Sequence, residues 1–168
     1  MSPTQRFQDR DLPLSGSPPA VGDTAPSVTL SPNPVEPLEL SFPRHKPLIL
    51  CTAPSLDTPV CGDQLRLFDN RLTETGAPFD FFFVTRDLPF AQQRFADQQE
   101  LGAVTILSDF KFRHLGDRFG LELPDMGLLA RTVFVIDADG SVRYREIVPE
   151  ISALPDLDAA WSVVTATV

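Results

Sequence analysis

Residues 48–72 read LILCTAPSLDTPVCGDQLRLFDNRL, and the change of hydrophobic period inside this stretch decides the fold. Leu48 to Cys51 is a run of four apolar residues, enough for a short buried strand. Proline and small polar residues then interrupt the pattern. Beyond Cys61, Leu65, Phe68 and Leu72 recur three or four apart, the spacing of one helix face. The stretch therefore predicts a strand, a tight loop and a helix, with Cys61 at the helix entrance.

That placement has a chemical consequence. The first turn of a helix carries unpaired backbone N–H groups and the positive end of the macrodipole, which both favour an anion. A cysteine there ionises more readily than a free one, and the thiolate is the reactive form. An unperturbed thiol with a pKa of about 8.5 is roughly 3% ionised at pH 7, so full ionisation adds only about 30-fold to its rate. A fast cysteine enzyme must gain the rest by stabilising its transition state. The loop before Cys61 offers Thr58 and the backbone of Thr58 to Cys61 for that purpose.

Working outward, Phe79 to Thr85 (FDFFFVT) and Ala103 to Leu107 are apolar runs of strand length. Pro89 to Gln99 has Phe90, Arg94 and Phe95 at helical spacing, with Pro89 suited to a first turn. Phe112, Leu115 and Phe119 predict a helix over Phe110 to Phe119, ended by Gly120. Thr132 to Ile136 and Val142 to Val148 flank Asp137-Ala138-Asp139-Gly140, a hairpin turn. Leu157, Trp161 and Val164 mark a closing helix over Asp156 to Val168. Upstream, Gln5 to Leu14 alternates weakly through Phe7, Leu12 and Leu14, as in a small hairpin. Ser15 to Ala20 is a loop, Ser27 to Leu30 a short strand, and Ser31 to Pro37 irregular because of its prolines. Leu38 to Phe42 fits either a strand or a helical turn. Strands alternating with helices predict an α/β mixed sheet covered on both faces, a pattern several folds share.

Length and composition bound the function. A chain of 168 residues is one domain with a full core, residues 1–21 being peripheral to it. The formal net charge of −9 argues against nucleic acid, whose phosphates would be repelled. No apolar run of about 20 residues predicts a membrane span. The first residues lack the apolar core of a secretory signal, so a cytoplasmic location is the expectation. Two cysteines make no disulfide framework, and with His45 and His114 they are spaced wrongly for a compact metal module.

Pro54, Thr58 and Cys61 form P-x-x-x-T-x-x-C, which resembles the peroxidatic signature of the peroxiredoxins. The strings PSLDTPVC, DLPFAQQRF (Asp87 to Phe95) and GLLARTVFVID (Gly127 to Asp137) are similar, in order, to the thiol peroxidase branch of that family. The resemblance runs from about Gly22 to the C-terminus. It implies a thioredoxin-like fold with an N-terminal hairpin, a homodimer, and a peroxidase that reduces hydrogen peroxide or organic hydroperoxides. In that scheme Cys61 is the nucleophile and forms a sulfenic acid. Thr58 hydrogen-bonds the peroxide, and Pro54 shields the thiolate and fixes the loop. Arg131 lowers the thiol pKa and stabilises the departing oxygen. The chemistry is on sulfur and calls for no metal or organic cofactor. The aromatic run at Phe79 to Phe83, with Phe90, could favour alkyl hydroperoxides.

The chain departs from the family at Ala96, where thiol peroxidases carry a resolving cysteine. No cysteine follows Cys61. An external thiol or thioredoxin then resolves the sulfenic acid, which is the preferred reading. Otherwise Cys51 resolves it after loop rearrangement, or Ala96 is an engineered replacement. The competing class is a thioredoxin-fold redox sensor or binding protein, oxidised at Cys61 without efficient turnover.

Overall fold

The structure, a computed structural model, describes residues 3–58 and 61–168, with Cys61 as backbone only. At its centre is the strand β5 (Leu48–Thr52) in a five-stranded mixed sheet. On one side β5 pairs in parallel with β6 (Asp80–Thr85), which pairs in parallel with β7 (Thr105–Ser108). On the other it pairs antiparallel with β10 (Thr132–Ile136), followed by β11 (Val142–Ile147). The remaining strands form three small antiparallel pairs. These are β1 (Thr4–Phe7) with β2 (Arg10–Pro13), β3 (Val28–Leu30) with β4 (Leu38–Leu40), and β8 (Glu122–Leu123) with β9 (Leu128–Leu129). The expected N-terminal hairpin is therefore present, and within Leu38 to Phe42 the first three residues form a strand.

The period of two in β5 explains why its four apolar residues are all buried. Leu48 and Leu50 point to one face, packing with Val28, Leu30, Leu40, Phe119 and Phe134. Ile49 and Cys51 point to the other, where Leu65, Phe68, Val133 and Trp161 meet them. That second face is covered by α1 (Cys61–Thr75) and α4 (Leu157–Ala166). Leu65, Phe68 and Leu72 of α1 are buried together, as their spacing predicts. Arg71 joins the two helices, its guanidinium 3.8 Å from the Trp161 ring centroid and its Nη1 2.9 Å from Asp158. Asp156 caps α4, accepting the Ala159 N–H at 3.0 Å. In the β10–β11 turn Gly140 has φ +97°, and a Cβ there would stand 2.9 Å from the Phe42 side chain.

Two helices differ from their sequence patterns. The helix expected over Phe110 to Phe119 is only α3 (His114–Arg118). Arg113 takes a left-handed φ of 58°, and the Asp109 carboxylate accepts the N–H groups of Leu115 and Gly116, so the helix cannot start earlier. Burial pushes the Asp109 carboxyl up, against those two N–H groups and the Arg86 guanidinium, which pull it down. Gly120, at φ +68°, follows the helix as anticipated. In α2 (Pro89–Gln98) Phe90 is 71% exposed, and the inner face belongs instead to the buried Gln92. Its amide donates to Leu107 O at 2.8 Å and to Thr85 Oγ1 at 3.0 Å, a polar need that overrides the apolar pattern.

Among the described residues no helix is long and apolar enough to cross a membrane. His114 Nδ1 accepts the Thr29 N–H at 2.9 Å, whereas His45 is exposed.

A buried carboxylate fastens α1 to the loop before β7. Asp69 accepts the N–H groups of Gly102, Ala103 and Val104 at 2.7 to 3.0 Å. Asp69→Ala strands three donors near the core and is expected to lower unfolding free energy by about 3 kcal/mol, measured by urea denaturation.

Candidate active site

The carboxyl ends of β5, β6 and β7 and the amino end of β10 lie at one edge of the sheet, the usual place for a site in a fold of this kind. The loop from Ala53 to Thr58 leaves β5 there, and α1 begins three residues further on at Cys61. Cys61 is the first residue of α1, as the sequence predicts. Its side chain, and the backbone of Pro59 and Val60, lie outside the described residues, so part of the expected substrate-binding backbone does too.

Pro54 is buried at the start of the loop. Its predecessors are tied down on both sides. Ala53 N–H continues the parallel pairing by donating to Val84 O at 3.1 Å. Thr52 Oγ1 donates to Ala130 O at 2.7 Å and lies 2.6 Å from Thr132 Oγ1. A hydroxyl has one proton, so Thr132 is the donor between the two. Thr52 thus grips both neighbours of Arg131, and the register that pairs Thr52 with Thr132, carried one residue further, sets Ala53 across from Arg131.

Arg131 is not the solvated strand-end charge that an isolated arginine usually is: it is 2% exposed. Its Nε donates to Ile151 O at 2.6 Å, which fixes the guanidinium plane. Its backbone is held by Gln5 of β1. Gln5 Nε2 donates to Arg131 O and to Val148 O, each at 2.7 Å, and Gln5 Oε1 accepts the Arg131 N–H at 2.9 Å. The hairpin strand beside it exchanges Arg6 N–H to Pro149 O and Ile151 N–H to Arg6 O. Sequence reasoning passed over Gln5, because a glutamine in a weakly alternating segment reads as a solvent-facing position. The alternation around it was the only signal.

Thr58 is half-buried, its hydroxyl donating to Ser55 O at 3.1 Å. With Leu56, Gly62, Phe95 and Gln99 it lines an open groove of about 410 Å³, rimmed by Asp57 and Asp63. The opening is large enough for a small organic molecule beside the start of α1. Two residues thought to matter for resolution lie elsewhere. Ala96 lines a separate cleft with Pro32, Gln93 and Val104 and is not among the residues lining that groove. Cys51 is 2% exposed in the middle strand of the sheet.

A second residue that sequence reasoning missed stands across the loop from Arg131. Asp87, just past β6, accepts Ser55 Oγ–H and the Leu56 N–H, both at 2.8 Å. It sits inside the DLPFAQQRF string, where its charge between two apolar segments was a usable signal.

The Redoxin family model matches residues 20–161 of the chain. Over 155 residues the chain is 39% identical to the thiol peroxidase of Mycobacterium tuberculosis, covering 90% of this chain and 92% of that one. It is 33% identical over 153 residues to the thiol peroxidase of Clostridium acetobutylicum, covering 91% and 92%. A crystal structure of a peroxiredoxin-like protein from Aquifex aeolicus is similar with a TM-score of 0.90 at 32% identity, over 98% of this chain and 97% of that one.

The hold of Gln5 on Arg131 is open to test. Gln5→Leu, close in size, leaves one N–H and part of two carbonyls without partners, and is expected to lower unfolding free energy by about 2 to 4 kcal/mol in urea.

Proposed function

The chain belongs to the Redoxin family and is a thiol peroxidase within it, and from that premise we propose that Cys61 is the peroxidatic cysteine, served by Thr58, Pro54 and Arg131. The observation that carries the assignment is the meeting, at one edge of the sheet, of the loop holding Pro54 and Thr58, the amino end of α1 and the buried Arg131.

The Cys61 thiolate attacks the terminal oxygen of a hydroperoxide. An S–O bond forms as the O–O bond breaks, the sulfur loses two electrons, and the departing oxygen takes a proton and leaves as water or an alcohol. The amino end of α1 favours the thiolate before the attack. Arg131, held by Ile151 and Gln5 rather than free to follow solvent, supplies a fixed positive charge to the oxygen that leaves. Thr58 gives a hydroxyl that can turn from Ser55 O to a peroxide oxygen. Pro54 keeps water from the sulfur and locks the loop's first dihedral.

The sulfenic acid is resolved by an external thiol, thioredoxin or a small thiol. One thiol forms a mixed disulfide and releases water, and a second returns the Cys61 thiol and leaves as the oxidised reductant. Two positions support this route: Cys51 is packed among Ile49, Phe81 and Val133, and Ala96 has no sulfur and opens on another cleft. The sensor reading finds no support in relatives named as peroxidases over nine-tenths of the chain. With this reading go a single domain, a cytoplasmic setting and the homodimer carried from the family, the last to be weighed by light scattering.

The test is intact-mass analysis after one equivalent of hydrogen peroxide with a sulfenic-acid trap, on wild type, Cys51→Ser and Cys61→Ser. A rapid adduct is expected in the first two and none in the third. Loss of two hydrogens in wild type alone would make Cys51 the resolver, and no reaction faster than a free thiol would remove the peroxidase assignment. Arg131→Ala is expected to slow oxidation by about a hundredfold or more in stopped-flow measurements.

A further inference from the structure

We propose that Asp87 is a positioning residue for the peroxide step, acting through Ser55 to set where the Thr58 hydroxyl stands. The proposal rests on the assignment of Cys61 as the nucleophile.

Asp87 is braced at every polar atom. Its Oδ2 accepts the Leu56 N–H at 2.8 Å and Thr85 Oγ1–H at 2.7 Å, and its Oδ1 accepts Ser55 Oγ–H at 2.8 Å. Its own N–H donates to Thr85 Oγ1 at 3.2 Å, and its carbonyl accepts Ser108 Oγ–H at 2.6 Å. Thr85 and Ser108 end two neighbouring parallel strands, and Thr85 Oγ1 also accepts from Gln92 of α2. The carboxylate is therefore a fixed post at the sheet edge, oriented by two strands and a helix.

What it holds is the loop that carries Thr58. Ser55 Oγ, bound to Asp87, accepts the Asp57 N–H at 3.1 Å, and Ser55 O accepts the Thr58 hydroxyl at 3.1 Å. Two links thus separate the carboxylate from the hydroxyl proposed to bind the peroxide. A carboxylate accepting a backbone N–H and two hydroxyls makes charge-assisted bonds, which are shorter and stronger than neutral ones. Thr52 grips the β10 side of the same loop, so Asp87 provides the opposing anchor on the β6 side. In-line attack on an O–O bond depends on placement to a fraction of an ångström, and a displacement of about 1 Å costs roughly a hundredfold in rate.

The experiment compares two reactions of Cys61 at one pH in the full chain. Oxidation by hydrogen peroxide needs the positioned loop, whereas alkylation by iodoacetamide needs only an accessible thiolate. Cys51→Ser is the common background, so that only Cys61 reports. In Asp87→Ala the peroxide rate is expected to fall about a hundredfold, with the iodoacetamide rate within about twofold of the parent. Ser55→Ala removes one arm and keeps the Leu56 N–H on the carboxylate, so a fall of about tenfold is expected, again in the peroxide rate alone. Should Asp87→Ala fail to fold, the Ser55→Ala ratio decides. An unchanged peroxide rate, or equal falls in both reactions, overturns the role of Asp87. If the parent itself reacts with peroxide no faster than a free thiol, the Cys61 assignment fails instead, and the two failures are thereby told apart.

Discussion

Removing the Arg131 guanidinium from water is the demand that shapes most of the molecule around the sheet edge. An ion at 2% exposure loses several kcal/mol of hydration and is tolerable only where its surroundings supply fixed polar partners. Ile151 O holds its Nε, and Gln5 takes both its backbone N–H and its carbonyl. Ile151 follows the last strand and Gln5 lies in the first. The hairpin β1–β2 and the segment after β11 come together because each bonds the other through Arg6 and both bond the arginine. The two ends of the sheet's sequence are thereby closed over one side chain.

The central strand explains why the remaining parts fall where they do. β5 has an antiparallel neighbour on one side and a parallel neighbour on the other. The amino end of β10 and the carboxyl end of β6 therefore both meet the loop leaving β5. One delivers a buried cation and the other a bonded carboxylate, and the loop between them is held from both sides. Apolar packing does the rest, with Ile49 and Cys51 seated under α1 and α4 and Leu48 and Leu50 against the small pairs of strands. A small thiol inside so dense a core is a packing residue first.

Much of this was legible in the sequence wherever periodicity and burial coincide. LILC read as a buried strand because both faces of β5 are covered, and Leu65, Phe68 and Leu72 read as a helix because α1 covers one of them. The turn at Asp137 to Gly140 was carried by residues that the backbone there requires. Illegible positions share one cause: polar groups whose bonding partners no hydrophobic period in the sequence reveals. Gln92 faces inward to satisfy Leu107 O, so Phe90 is turned out. Asp109 caps α3 from outside it and shortens the helix that three apolar residues suggested. Gln5 and Asp87 left weak signals in the sequence, and their roles came only through the atoms they bond. The P-x-x-x-T-x-x-C string and its two companion blocks pointed to the family, while Gln5, which supports its arginine, lies outside all three, and Asp87, which supports its loop, opens the second.

The bonds from Gln5 to Arg131 and Val148 span 126 and 143 positions. On the ribosome a chain lengthens from its amino end at about 5 to 20 residues per second. Gln5 therefore waits about 6 to 30 s, by that rate, while its partners are still being made. The arginine cannot be seated until β10, β11 and the segment after them have emerged, long after Cys61 has left the tunnel. A nascent Cys61 without Arg131 in place has, on the proposed assignment, only the ordinary sluggishness of a thiol toward peroxide. On the assignment proposed above, the reactivity of Cys61 arrives only once Arg131 has been seated by these distant partners.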